Sequence, residues 1–109
     1  MKAVLLTSLR KMEVFDVPEP QVINGSDVLV KIKNVGVCGS DIHYYTQGRI
    51  GSQVVKFPFI LGHEASGVVE KTGNNVTQVS PGDRIAIDPA MPCFLAISAY
   101  PGVIIPVGD

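Results

Sequence analysis

Apolar and polar residues alternate over several short stretches of the chain, and a period of two is typical of β-strands. The predicted strands are Met1–Leu6, Met12–Val17, Asp27–Val37, Ala65–Lys71 and Arg84–Asp88. In the longest of them the apolar parity shifts after Asn34, which predicts a bulge or bend at that point. The pattern therefore predicts a mostly β fold.

Only one segment favours a helix. Ile42–Gln47 forms its predicted body, Ser40 or Asp41 can cap its N-terminus, and Gly48 is a suitable stop. The residues from Gly48 to Ser52 are then predicted to be a loop. The chain is thus expected to carry one short helix among its strands.

The hydropathy pattern changes from about Met91 onward. Cys93–Val107 is largely apolar, carries three prolines at or beside it, and has no charged residue before Asp109. It matches neither a regular helix nor a regular strand. A solvent-facing domain is not expected to end in such a segment unless something covers it, and uncovered apolar surface elsewhere on the isolated domain predicts self-association.

Composition limits the classes of function. A chain of 109 residues is one domain at most, and 46% hydrophobic with 17% charged residues describes a globular protein. The net charge of −1 gives no electrostatic basis for binding nucleic acid or an anionic membrane. We expect no signal peptide and no membrane-spanning stretch, and the two cysteines are expected to be reduced thiols, which favours the cytosol.

Two clusters could carry chemistry: Cys38–His43 and Gly62–Glu64. The thiolate of Cys38, the imidazole of His63 and the carboxylate of Glu64 are common ligand types for zinc. Three protein ligands with an open fourth position are typical of a catalytic zinc. Simpler interpretations stay open, because a lone cysteine is often a small buried residue and a His–Glu pair in a loop is usually solvated.

The order of four motifs decides between these interpretations. They are Gly36-Val-Cys-Gly-Ser-Asp-Ile-His43, Gly48-Arg-Ile-Gly51, Leu61-Gly-His-Glu-Ala-Ser-Gly67 and Pro81-Gly-Asp-Arg-Ile-Ala-Ile87. In this order the chain resembles the zinc-containing medium-chain alcohol dehydrogenases, and among them the sorbitol and xylitol (polyol) dehydrogenases. The resemblance covers residues 1–93 and implies an N-terminal GroES-like β-barrel that holds the catalytic zinc.

The resemblance also implies roles for individual residues. Cys38, His63 and Glu64 match the metal site, with Glu64 as ligand or near-ligand, and Asp41 matches the carboxylate that orients the liganding histidine. Ser40 and His43 match a proton relay, and Tyr44 matches a residue of the substrate pocket. The alternatives are a capping role for Ser40, a surface position for His43 and simple packing for Tyr44. Gln53 departs from the aromatic pocket residue of many polyol dehydrogenases.

The implied reaction is metal-assisted oxidation of a polyol or other secondary alcohol, with hydride transfer to NAD(P). The family's Rossmann domain would follow this one, and no Gly-rich dinucleotide-binding turn is present here. We also expect no structural zinc. Its first cysteine matches Cys93, but the next three ligand positions hold Ala96, Ala99 and Val107.

We therefore divide the chain into an incomplete GroES-like domain, residues 1–93, and an unrelated or frame-shifted tail, residues 94–109. The first hypothesis is the N-terminal part of a zinc- and NAD-dependent polyol dehydrogenase, expected to be inactive as this chain alone. A non-enzymatic zinc-binding or interaction module and a degenerate gene product are the alternatives.

Overall fold

A computed structural model of the chain describes residues 1–22 and 24–88, together with the backbone of 103–106. The strands are β1 (Lys2–Ser8), β2 (Lys11–Asp16), β3 (Val28–Gly36), β4 (Arg49–Ile50), β5 (Gln53–Val54), β6 (Glu64–Thr72), β7 (Arg84–Asp88) and β8 (Val103–Pro106), with one helix, α1 (Gly39–Gln47). They divide between a first unit, Met1–Glu19 with Val37–Gly62, and a second unit, Pro20–Gly36 with His63–Asp109.

The first unit is built on the antiparallel hairpin of β1 and β2, as the alternating pattern predicted. Leu6 is fully buried, and its backbone exchanges two hydrogen bonds with Phe59 at 2.7 and 2.9 Å. On the hairpin's polar side the Thr7 hydroxyl donates a hydrogen bond to the Glu13 carboxylate. This bond, more than the nearby Lys11, lowers the pKa of Glu13 below its usual value.

Helix α1 begins earlier than the sequence predicted. Its N-cap is Cys38, so the expected cap at Ser40 or Asp41 is wrong. The reason is that Asp41 lies at the third helical position, from which its carboxylate accepts a hydrogen bond from the Cys38 amide at 2.9 Å. The helix ends as predicted at Gly48, whose left-handed backbone (φ +68°) suits glycine.

The predicted loop after the helix contains a small hairpin instead. Arg49–Ile50 pairs with Gln53–Val54, and the Arg49 guanidinium donates two hydrogen bonds, at 3.0 and 2.7 Å, to the Gly51 carbonyl. Strands of two residues carry too few side chains to produce a visible alternation, so the sequence pattern could not predict them.

The second unit is an antiparallel sheet with the strand order β3-β6-β7-β8. Its core consists of Val69, Val79 and Ile85, and Val28 and Val30 pack against it. The predicted bulge is present, because the register shifts between Ile32 and Asn34. At Gly67 a β-carbon would lie 2.3 Å from the Lys31 carbonyl oxygen, so only glycine allows β6 to approach β3 this closely.

Among the described residues no helix is long and apolar enough to cross a bilayer. The single helix of that part has nine residues, whereas a spanning helix needs about 20.

Candidate metal centre

Cys38 lies at the start of helix α1 in the first unit. It is half-buried, and its extended backbone (φ −92°, ψ 160°) leads directly into the first helical turn. The free amides and the dipole of a helix start favour negative charge, which suits a thiolate ligand. The metal-ligand role of Cys38 and the alternative of a small packing residue both stay predictions.

Asp41 is the one buried charged residue among those the structure describes, with 6% of its surface exposed. One carboxylate oxygen accepts the hydrogen bond from the Cys38 amide, and the other accepts a hydrogen bond from the Gly62 amide at 3.3 Å. A buried carboxylate needs such donors. Asp41 therefore holds the start of α1 and the end of the Leu61–Gly62 segment together. Its predicted role toward His63 stays a prediction.

Glu64 begins strand β6 in the second unit, directly after the half-buried His63. Its partner across the sheet is Gly36, the last residue of β3. An open groove of about 390 Å³ lies at this end of the sheet, and Gly36 and Glu64 line it together with Asn34, Ser66 and Asp88. The groove is open to solvent, and Glu64 is an exposed residue at its edge.

The chain passes between the two units three times, and two of these passages, at Gly36–Val37 and at Gly62–His63, lie close in sequence to the candidate ligands. The candidate ligands flank these two peptide bonds: Cys38 follows Gly36 by two residues, and His63 directly follows Gly62. Within each unit the two passages are held side by side, by Asp41 in the first and by the Gly36–Glu64 pair in the second. Because linked Cα atoms are about 3.8 Å apart, Cys38 stays close to the first of these passages, and His63 and Glu64 stay close to the second.

The remaining predicted site residues lie on helix α1. Ser40 is half-buried and His43 is exposed, three residues further along the helix. Tyr44 packs its ring against Phe59 at 5.5 Å between centroids, and its hydroxyl donates a hydrogen bond to the Gln53 side chain at 3.4 Å. Packing is therefore at least part of the role of Tyr44. The relay and pocket roles stay predictions.

Comparison with known proteins bears directly on these assignments. Residues 24–102 match the family model described as "Alcohol dehydrogenase GroES-like domain". The chain belongs to this family. The match confirms the predicted fold class, a mostly β GroES-like domain with one short helix.

Relatives of this GroES-like domain include polyol enzymes. It is 47% identical over 93 residues to the sorbitol dehydrogenase of Bacillus subtilis (strain 168), covering 85% of this chain and 26% of that protein. It is 47% identical over 103 residues to the D-xylulose reductase of Morganella morganii, covering 94% and 30%. The chain thus spans little more than a quarter of these relatives.

Solved structures agree with this assignment. The crystal structure of galactitol-1-phosphate dehydrogenase from Escherichia coli has a TM-score of 0.76 at 32% identity, covering 89% of this chain and 27% of that one. The 2R,3R-butanediol dehydrogenase from Bacillus subtilis has a TM-score of 0.69 at 32% identity, covering 81% and 27%. The resemblance to polyol and alcohol dehydrogenases is therefore confirmed at the level of the family.

The expectations about the last part of the chain lie outside the described residues. They concern Cys93 and the positions Ala96, Ala99 and Val107, where the structural zinc is predicted to be absent. The division at residue 93 also stays a prediction. The family model extends past it to residue 102, and the backbone of β8 pairs with β7.

Proposed function

We propose that this domain is the zinc-holding, N-terminal part of an NAD(P)-linked polyol dehydrogenase that oxidises a secondary alcohol to a ketone. The observation that carries the proposal is that Cys38, His63 and Glu64 offer three different types of zinc ligand. Cys38 lies close in sequence to the Gly36–Val37 passage between the units, and His63 and Glu64 lie at the Gly62–His63 passage. The names of the sorbitol and xylulose relatives support the substrate class.

The donor set suits zinc on chemical grounds. One thiolate, one imidazole and one carboxylate leave a fourth tetrahedral position open, as catalytic zinc sites do. A bound zinc ion supplies Lewis acidity, which makes an alcohol more acidic. The buried Asp41 supports the site indirectly, because its two hydrogen bonds fix the backbone on either side of the proposed ligands.

Ser40 and His43 would transfer the proton of the alcohol substrate to water. Ser40 and His43 are three apart on α1, a spacing that brings side chains to one face of a helix. The Ser40 hydroxyl would accept the alcohol proton and pass its own to the His43 imidazole, whose exposure allows release to water. Hydride acceptance requires NAD(P), for which these 109 residues provide no recognised site.

Metal analysis of the purified chain tests the site. We expect about one zinc per chain, loss of that zinc in Cys38→Ser, and retention in Cys93→Ser as the matched control, because a catalytic site needs its thiolate ligand. Wild-type chain without zinc after loading and desalting would contradict the proposal.

We expect a cytosolic protein, because both thiols stay reduced in that compartment.

An activity assay separates the enzyme from the alternatives. We expect no NAD-dependent oxidation of sorbitol or xylitol by these 109 residues alone, because their hydride acceptor has no binding domain here. Turnover by the zinc-loaded chain would exclude a non-enzymatic zinc-binding module and a degenerate product.

A further inference from the structure

Gly36 is unusual among the glycines of the second unit because the nearest group beyond its neighbours is a charged side chain. A β-carbon built at Gly36 would lie 2.9 Å from a carboxylate oxygen of Glu64 and 3.2 Å from the Glu64 β-carbon. Gly25 faces the neutral side chain of Asn75, and the nearest atoms to Gly67 and Gly73 are backbone atoms. The space over Gly36 is therefore occupied by the carboxylate itself.

Backbone conformation does not explain this glycine. The glycines with positive φ are Gly48, Gly51, Gly62 and Gly82, and Gly36 is not among them. Residues directly opposite each other in an antiparallel pair place their side chains on the same face, about 5 Å apart. Any side chain at position 36 would therefore compete with Glu64 for one place at the edge of the groove.

We propose that Gly36 is a positioning residue for Glu64: its missing side chain leaves the space in which the carboxylate lies ready to hold a divalent metal. The inference rests on Glu64 belonging to the zinc site proposed above. It adds to that proposal a residue with no ligand atom of its own, whose contribution is empty volume on the Glu64 face of the sheet.

The variant Gly36→Ala should move the carboxylate rather than unfold the sheet. The closest atom is the end of a flexible side chain, which can rotate away, whereas the Glu64 β-carbon at 3.2 Å must shift by a few tenths of an ångström. Position 36 does not have a positive φ, so an L-residue meets no backbone strain there. The displaced carboxylate would then approach the metal less well. Loss of support for a metal ligand weakens metal affinity about tenfold or more.

The experiment titrates the full chain with Co²⁺ and with Zn²⁺ against a chelating indicator. We expect Gly36→Ala to weaken Co²⁺ binding about tenfold while the thiolate-to-cobalt absorption of Cys38 persists. The matched control is Gly39→Ala, because a β-carbon at Gly39 meets nothing within 4 Å apart from its chain neighbours and the backbone of its own helix, and the metal affinity of this variant should equal wild type. In the Glu64→Ala background, Gly36→Ala should have no further effect, since the two changes remove the same contribution.

The outcomes separate the two proposals. A wild-type chain that binds neither metal overturns the proposed function and this inference together, whereas metal-binding wild type with an unaffected Gly36→Ala overturns the inference alone. A further tenfold loss in Gly36→Ala/Glu64→Ala also overturns it. If Gly36→Ala alone unfolds, thermal unfolding of Gly36→Ala/Glu64→Ala is measured. A folded double variant shows that the alanine conflicts with the Glu64 carboxylate and supports the proposal. An unfolded double variant overturns the proposal.

Discussion

At the residue scale, the buried Asp41 carboxylate accepts hydrogen bonds from the amides of Cys38 and Gly62 and so holds the backbone beside two of the candidate ligands, Cys38 and His63. Cys38, His63 and Glu64 follow from residue type and motif order alone. The bond from the Gly62 amide to Asp41 joins residues far apart in sequence, so no local pattern could reveal it. The capping bond to Cys38 could have been anticipated, because an acidic side chain three residues after a helix cap is a known signature.

Asp41 is the residue whose replacement has the clearest expected cost. In Asp41→Asn one carboxylate oxygen is replaced by an amide nitrogen, which is not an acceptor. The variant therefore keeps one of the two backbone hydrogen bonds and loses the other. Leaving a part-buried amide without its acceptor costs about 1–3 kcal/mol, and urea unfolding should report a loss of free energy of unfolding of that size.

The control for this prediction is Asp16→Asn. Asp16 accepts a hydrogen bond from Lys2 at 2.7 Å, but both side chains are more than two-thirds exposed. An exposed ion pair contributes at most about 1 kcal/mol, so this variant should unfold close to wild type. Equal losses in the two variants would contradict the role given to the buried carboxylate.

At the element scale long alternating segments were predictable and short ones were not. The strands of five or more residues and the bulge near Asn34 agree with the sequence pattern, although their ends differ by a residue or two. The hairpin of β4 and β5 was missed, since two-residue strands depend on side-chain bonds such as Arg49 to Gly51. The helix start was wrong because Cys38 is not a typical cap.

The C-terminal end of α1 provides a test at this scale. Gly48→Ala forces alanine into a left-handed conformation, where its β-carbon would also lie 3.0 Å from Leu9. We expect a loss of about 1–2 kcal/mol in the free energy of unfolding, measured by urea denaturation. Gly39, in the first helical turn, has neither a positive φ nor a close contact. Gly39→Ala should therefore leave the free energy of unfolding unchanged or raise it by up to about 1 kcal/mol. A destabilised Gly39→Ala with an unaffected Gly48→Ala would reverse this explanation.

At the scale of the whole molecule, family membership is firm and activity is a proposal. The chain spans 26–30% of its sorbitol dehydrogenase and D-xylulose reductase relatives. Motif order predicted the family because it reflects the whole catalytic domain. Residues 94–109 show neither a regular hydropathy period nor one of the four motifs, so their division from the domain stays a prediction.

Exposed apolar side chains lead to a prediction about association. In the first unit Val4 and Val14 lie directly opposite each other on β1 and β2 with 49% and 64% of their surfaces exposed. We expect concentration-dependent self-association of the purified chain, measured by sedimentation velocity. Val14→Lys should weaken it about fivefold, since about 1 kcal/mol of apolar burial is lost.

The comparison variant is Gln21→Lys, which adds the same charge at an exposed position without removing apolar surface. It should associate like wild type. A wild-type chain that stays monomeric over the whole concentration range, or equal weakening by both lysines, would rule out the Val4–Val14 surface as the cause.

The link between helix α1 and the first hairpin has a consequence for local unfolding. The Arg10 amide donates to the Tyr45 carbonyl at 2.8 Å, and the Tyr45 hydroxyl donates to the Arg10 carbonyl at 2.9 Å, which closes a ring of two hydrogen bonds. Fraying of the helix end therefore also breaks the turn between β1 and β2. We therefore expect the two elements to open as one cooperative unit. The free energy of opening the helix that carries Cys38, Ser40 and His43 then depends on the stability of the hairpin formed by the first sixteen residues.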